Sequence, residues 1–216
     1  MYNRLLTTED LHEFYEEVDR EDYRTKFPHR DLWYDHDDAI LKWISILREF
    51  KSIGGSNLKV VDLGAGPASL PHIISSLGHD VTAIDIADID HLVQQSLVKM
   101  VLGDVLYELK EIPDESIDVF IDSCAVTHFD PKGYYENKGW REVAYGVSRA
   151  LKSGGRFILS SDVDLYATGG EFITPQRIIE IMKDNGLDLT SPFVVTDNDL
   201  KTCPWPVVTL TFEKCE

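Results

Sequence analysis

Short apolar runs alternate along the chain with stretches in which apolar residues recur every three or four positions. The runs 58–63 (LKVVDL), 81–86 (VTAIDI), 99–102, 117–122 (IDVFID) and 156–160 (RFILS) read as buried strands. Between them, Leu70, Ile73, Ile74 and Leu77 share one helical face that Gly78 closes, and a short helix is expected over 90–97. Val143, Val147, Ala150 and Leu151 line a further helix that should end at Ser153, Gly154 and Gly155. Thr174 with Pro175 forms an N-cap and first-turn proline, opening a helix through Met182 that stops at Gly186. Residues 193–195 and the alternating 207–212 (VVTLTF) predict two closing strands, the last antiparallel. Strands alternating with amphipathic helices predict a parallel sheet covered by helices.

Residues 1–36 stand apart from this alternation. They combine many acids with seven aromatic residues (Tyr2, Phe14, Tyr15, Tyr23, Phe27, Trp33, Tyr34), and Pro28 interrupts any continuous helix. Rings concentrated in this way favour burial over a solvated tail, so the segment is expected to form a helical, aromatic lid over the crevice outside the strand ends. Residues 37–216 then form the main domain. It opens with an amphipathic helix at 37–50, carrying Ile40, Trp43, Ile44, Leu47 and Phe50, and breaks at Gly54, Gly55 and Ser56.

At 216 residues the chain suits one such domain. The 21 basic residues against 38 acidic ones leave a net charge of −17, which argues against nucleic acid or an anionic membrane surface as the main partner. No run approaches the roughly 18 apolar residues of a membrane span, and the first ten residues lack a signal-peptide profile, so a cytoplasmic location is expected. Cys124, Cys203 and Cys215 lack CxxC spacing, favouring reduced thiols, and no rim spacing suggests a metal site.

The most informative segment is 60–67 (VVDLGAGP). Gly64, Ala65 and Gly66 sit at a strand-to-helix turn, where glycine lets backbone approach a ligand closely. Asp85, followed by Ile86, ends the second strand, where an acid can accept both hydroxyls of a ribose. A dinucleotide site would satisfy these features too, but its GxGxxG pattern requires glycine at position 69, which is Ser69. Asp62 before the turn suits a ligand ammonium and repels a pyrophosphate. Asp104, after the third strand, is placed to accept from an adenine amine. Three carboxylates after three successive strands match a cationic amino-acid nucleoside better than a dinucleotide.

With VVDLGAGPAS (60–69), VTAIDI (81–86), GDV (103–105), DESIDVFIDSCAVTHF (114–129) and SRALKSGGRFILSS (148–161), the sequence resembles the class I S-adenosylmethionine-dependent methyltransferases, most closely their small-molecule branch. The resemblance implies a Rossmann-like, doubly wound, seven-stranded and mostly parallel sheet with an antiparallel last strand. It implies S-adenosylmethionine as cofactor and S-adenosylhomocysteine as product. Asp62, Gly64 and Gly66 would lie near the methionine moiety, Asp85 on the ribose, Asp104 with Val105 along the adenine, and Ser123 beside the cofactor. The short link between the second and third strands and Pro67 after the second glycine depart from the family pattern.

Methyl transfer from a sulfonium needs alignment above all, and a base only where the acceptor must lose a proton. His128, just beyond the fourth strand, is the candidate for that base or for an orienting contact. Asp162 and Asp164 follow the fifth strand and face the same rim. An NAD(P)-dependent oxidoreductase, disfavoured by Asp62 and Ser69, and a catalytically silent methyltransferase-like binding protein are the competing readings.

Overall fold

The computed structural model describes residues 3–22, 37–66, 70–87, 97–129, 137–166, 172–203 and 205–215. Five parallel strands form the body of one sheet. They are β2 (Lys59–Leu63), β3 (Asp80–Asp85), β4 (Lys99–Leu102), β5 (Ile117–Ser123) and β6 (Leu151–Asp162), in the order β4-β3-β2-β5-β6. β8 (Val207–Lys214) joins β6 antiparallel, as the sequence predicts. Its outer edge carries two short antiparallel strands, β1 (Arg4–Leu5) on Val208 and Thr209, and β7 (Leu187–Leu189) on Phe212 to Lys214. The sheet therefore has eight strands where the sequence reading counts seven, the addition being β1.

Side chains alternate across each strand, so the two sheet faces have separate cores. Val60, Ala83, Val119, Ile121 and Ile158 point to one face, covered by α1 (Thr8–Arg20), α2 (Asp37–Ile53) and α3 (Leu70–Ser76). Val61, Leu63, Phe120, Phe157 and Phe212 point to the other, covered by α4 (Val105–Glu111), α5 (Lys138–Ala150) and α6 (Pro175–Asp184). Burial on both faces explains why the strand sequences are almost continuously apolar. One further short helix, α7 (Asp197–Thr202), precedes β8.

Two boundaries differ from the sequence reading. The closing strand before β8 is Leu187–Leu189, not 193–195, and Val194 makes only a single bridge to Arg4. Gly186, at φ +78°, ends α6 and turns the chain directly into the fully buried Leu187, whereas Pro192 has no N–H for a ladder. The helix before β6 stops at Ala150, and the strand begins at once with Leu151 opposite Ile117. The register then breaks, so that Val119 faces Arg156, and residues 152–155 form an irregularity inside the strand, with Gly154 at φ +71°.

The N-terminal segment is bound to the sheet and α2 over residues 3–22. Thr7 caps α1 in a reciprocal box with Asp10, and Arg4 pairs with the same carboxylate. Leu11, Phe14 and Val18 are buried against α2, whose Arg48 lies over the Phe14 ring at 4.6 Å and bonds Glu17 at 2.6 Å. This part is a buttress for α2. The remaining aromatics proposed for a lid, Tyr2, Tyr23, Phe27, Trp33 and Tyr34, lie outside the described residues, as does most of the helix expected over 90–97.

Truncating the fully buried Phe14 to Ala is expected to lower stability by about 3–5 kcal/mol, the usual cost of removing a core ring. Urea unfolding measures it. A loss below about 1 kcal/mol would show α1 to lie outside the cooperative unit.

Candidate functional site

Strand order reverses between β2 and β5: the chain runs outward through β3 and β4, then returns to the centre for β5. A crevice opens at the carboxyl ends of strands at such a switch point. Here it is a cavity of about 610 Å³. Gly64, Asp85, Ile86, Asp104 and Val105 line one end, Ser123, Cys124, Ala125 and His128 the middle, and Asp162 with Lys42 and Asp38 of α2 the other end. Eight of the residues singled out from sequence thus meet in one place: Gly64, Asp85, Ile86, Asp104, Val105, Ser123, His128 and Asp162. Asp62, Ala65 and Gly66 are not among the cavity walls.

The turn after β2 is tightly constrained. Gly64 has φ +69°, and a Cβ on it would lie 2.2 Å from the Ala125 Cβ, so the turn and the loop after β5 touch with no room for a side chain. Gly64 and Ala65 both donate to the Ile84 carbonyl, at 2.8 and 3.1 Å. The Asp85 carboxylate accepts from Gly66 N–H at 2.6 Å and from Ala87 N–H at 2.7 Å, tying the glycine turn to the end of β3. Each oxygen retains further accepting capacity, so the same carboxylate can still take ribose hydroxyls. Asp104 is the N-cap of α4, accepting from Leu106 N–H at 2.8 Å. Its place beside Val105 and Leu106 gives the cavity a polar corner and an apolar wall.

Beneath the cavity lie two buried acids on adjacent strands. Asp122, at the end of β5, accepts through Oδ1 from Ala125 N–H at 2.8 Å and Val126 N–H at 3.3 Å, which fixes the loop carrying Ser123, Ala125 and His128. Its Oδ2 and Asp62 Oδ1 have no hydrogen-bond partner. Burial first, then the nearby Asp122 and Asp85 charges, raise the Asp62 pKa well above the ordinary carboxylate value. Burial also lifts Asp122, to about 7, against the opposing pull of the two loop N–H groups and Lys42.

The far end of the cavity holds a group the sequence reading did not assemble. Lys42 Nζ, almost wholly buried, sits 2.9 Å from Asp162 Oδ2 and 3.2 Å from Asp38 Oδ2. The Cys124 thiol donates to the same Asp162 oxygen at 3.1 Å. Burial works against the Lys42 charge, but the facing Cys124 and Asp162 groups more than offset it and raise its pKa. The Cys124 thiol is pushed up to about 11, chiefly by burial, so it is a neutral donor here and not a thiolate. One sequence signal was available: Lys42 interrupts the run 39–47 (AILKWISIL), where a lone cation on a buried helix needs a partner. Nothing local in the sequence names Asp162 as that partner.

Because the folded-state pKa of Asp122 is raised above 3.8 to about 7, the folded protein binds more protons than the unfolded chain across that window. This carboxyl therefore subtracts stability as pH rises from about 4 to about 7. Asp122→Asn keeps an oxygen for the loop N–H groups and removes the titration. The stability of the variant relative to the native protein should rise by roughly 2–4 kcal/mol between pH 4 and pH 7.5. Chemical unfolding at a series of pH values decides it, and a pH-independent difference would remove the buried proton from Asp122.

The comparisons agree with this geometry. Residues 61–159 match the family model of the methyltransferase domain. No curated protein matches the chain in sequence. Among solved structures, a 1,6-didemethyltoxoflavin-N1-methyltransferase from Burkholderia thailandensis, crystallised with its namesake compound and S-adenosylhomocysteine, superposes at TM-score 0.63 and 19% identity, over 95% of this chain and 90% of that one. A TehB-like S-adenosylmethionine-dependent methyltransferase from Corynebacterium glutamicum superposes at 0.57 and 18% identity, over 94% and 98%. The [4+2]-cyclase SpnF superposes at 0.62 and 12% identity, over 85% and 82%. With its sheet order and its glycine turn, the chain has the fold of the class I S-adenosylmethionine-dependent methyltransferases, and the segment 61–159 matches their methyltransferase-domain model.

Proposed function

We propose that the protein transfers the methyl group of S-adenosylmethionine to a small-molecule acceptor. The observation that carries this reading is the convergence of Gly64, Asp85 and the Asp104–Val105 corner on one end of a single cavity, leaving the Lys42–Asp162 end for a second ligand. The donor sets fit the cofactor: a strand-end carboxylate for a ribose, an apolar wall of Ile86, Val105 and Leu106 for a purine, and a glycine turn without a side chain in the way. When bound, S-adenosylmethionine supplies an electrophilic methyl group on a sulfonium.

The protein's own part is alignment. Asp85 would accept the ribose hydroxyls while still holding the Gly66 and Ala87 N–H groups, so cofactor binding and turn geometry are mechanically one. Asp104 would accept from the adenine amine. Asp62 lies behind the turn, and a methionine ammonium bound nearby would favour its carboxylate form against the burial that raises its pKa. Ser123 and Ala125, held by Asp122, form the wall between the two ends of the cavity. His128 closes the 3-10 turn Val126–His128 at the exposed rim, where it can orient the acceptor or receive its proton. A cavity of about 610 Å³ and the net charge of −17 favour a small molecule over a nucleic acid as acceptor.

A second reading is use of the fold without methyl transfer, since the same architecture occurs in a structure described as a [4+2]-cyclase. Cofactor binding alone does not separate the two readings; radiolabelled methyl transfer into a pooled small-molecule extract does. An NAD(P)-dependent reading is tested by titrating NADH beside S-adenosylhomocysteine.

Asp85→Ala is expected to weaken S-adenosylhomocysteine binding by about 1.5–3 kcal/mol, the scale of hydrogen bonds to a charged group. Isothermal titration reads it, and unchanged affinity in a folded variant would take Asp85 out of the ribose site. Gly64→Ala places a Cβ 2.2 Å from Ala125 Cβ at a left-handed backbone position, and binding should be lost or reduced by at least tenfold. Native affinity in that variant would mean the turn is free to move away from the loop.

A further inference from the structure

The Asp162 carboxylate is engaged on one side only. Lys42 Nζ at 2.9 Å and the Cys124 thiol at 3.1 Å both reach Oδ2, and Oδ1 carries no hydrogen bond among the described residues. The side chain is 23% exposed, and it lines the cavity. Asp162 ends β6, whereas Asp85 ends β3, with β2 and β5 between them. Three strand spacings, roughly 14 Å, separate the two carboxylates, so both cannot serve one ribose. Asp162 belongs to whatever lies beyond the cofactor.

We propose that Asp162 Oδ1 is the docking point of the acceptor and selects a neutral or cationic small molecule that presents an N–H or O–H donor; this rests on the methyltransferase reading above. Ion-paired with Lys42 at 2.9 Å, the Asp162 carboxylate accepts hydrogen bonds and has none to donate. A partly buried acceptor atom left unpaired is costly, so a ligand without a donor is rejected more strongly than shape alone would reject it. Anionic acceptors are disfavoured for a separate reason. Lys42 is 7% exposed and already holds two carboxylates, leaving no free cation at this end among the described residues, while Asp38, Asp85, Asp104 and Asp162 all line the walls.

The test uses the full-length protein saturated with S-adenosylhomocysteine and two matched probe pairs, uracil with 1,3-dimethyluracil and phenol with anisole, titrated by NMR. The donor-bearing member of each pair should bind at least fivefold more tightly, and benzoate should bind more weakly than phenol. In Asp162→Asn the amide oxygen stays with Lys42 and Cys124, so an NH₂ replaces Oδ1 and an acceptor becomes a donor. The preference should fall below twofold, with S-adenosylhomocysteine affinity within twofold of native. A second readout needs no variant: the carboxyl carbon resonance of Asp162 should move with uracil and phenol and stay in place with their methylated partners. Equal binding within the pairs, no binding of any probe at millimolar concentration, an unmoved Asp162 resonance, or a preference that survives in Asp162→Asn would each overturn the proposal. A native protein that fails to bind S-adenosylhomocysteine removes the underlying reading instead, and the proposal with it.

Discussion

The loop after β5 lies so close to the turn after β2 that a Cβ on Gly64 would stand 2.2 Å from Ala125. That contact fixes the switch point. It allows two loops from adjacent parallel strands to wall a single crevice, and it transmits position from one to the other. Asp85 holds the turn from the β3 side through Gly66, and Asp122 holds the loop from below through Ala125 and Val126. Cys124, in a left-handed conformation at φ +69°, then directs its thiol to Asp162 at the end of β6. The ends of β2, β3, β5 and β6 are thereby linked around one gap by hydrogen bonds and by the Gly64–Ala125 contact.

The same arrangement concentrates acids where water is scarce. Asp62 and Asp122 each leave one buried oxygen unpartnered, and their pKa values rise accordingly. Asp162 instead faces Lys42, which brings a cation into the site from α2. The two ends of the cavity therefore differ electrostatically. One end has carboxylates satisfied by backbone N–H groups; the other has a carboxylate satisfied by a buried lysine. Backbone donors come with the fold, but a lysine depends on the helix that carries it.

The Gly64–Asp104 end of the cavity was legible in the sequence because its residues are local to strand ends. VVDLGAGP and VTAID each announce a strand followed by a turn, GDV follows a third strand, and strand order then brings Gly64, Asp85 and Asp104 together. The Lys42–Asp162 end was not legible in that way. Lys42 and Asp162 are 120 positions apart and meet only because α2 packs across β6. The short edge strands were hidden for a related reason. Arg4–Leu5 has two residues and no periodicity to read, and Leu187–Leu189, with Asp188 at its centre, is less apolar than the Phe193–Val195 stretch that competes with it. Pairing with β8, a tertiary fact, decides both.

The N-terminal buttress gains a functional sense from this geometry. Lys42 can reach Asp162 only if α2 keeps its rotation and height on the sheet, and α1 braces the helix from its outer side. Phe14 packs under Arg48, Glu17 binds Arg48 from the same helix, and Tyr15 donates to Asp37 at the first turn of α2. Arg48 lies six residues beyond Lys42, under two helical turns, so a shift at one is felt at the other as a rigid displacement. Gly64, Asp85, Asp104 and Val105 all fall between positions 61 and 159, the segment that matches the methyltransferase-domain model, whereas Asp38, Lys42 and Asp162 fall outside it on either side. One end of the cavity is therefore built by the matched segment alone, and the other end depends on how α2 packs against the end of β6.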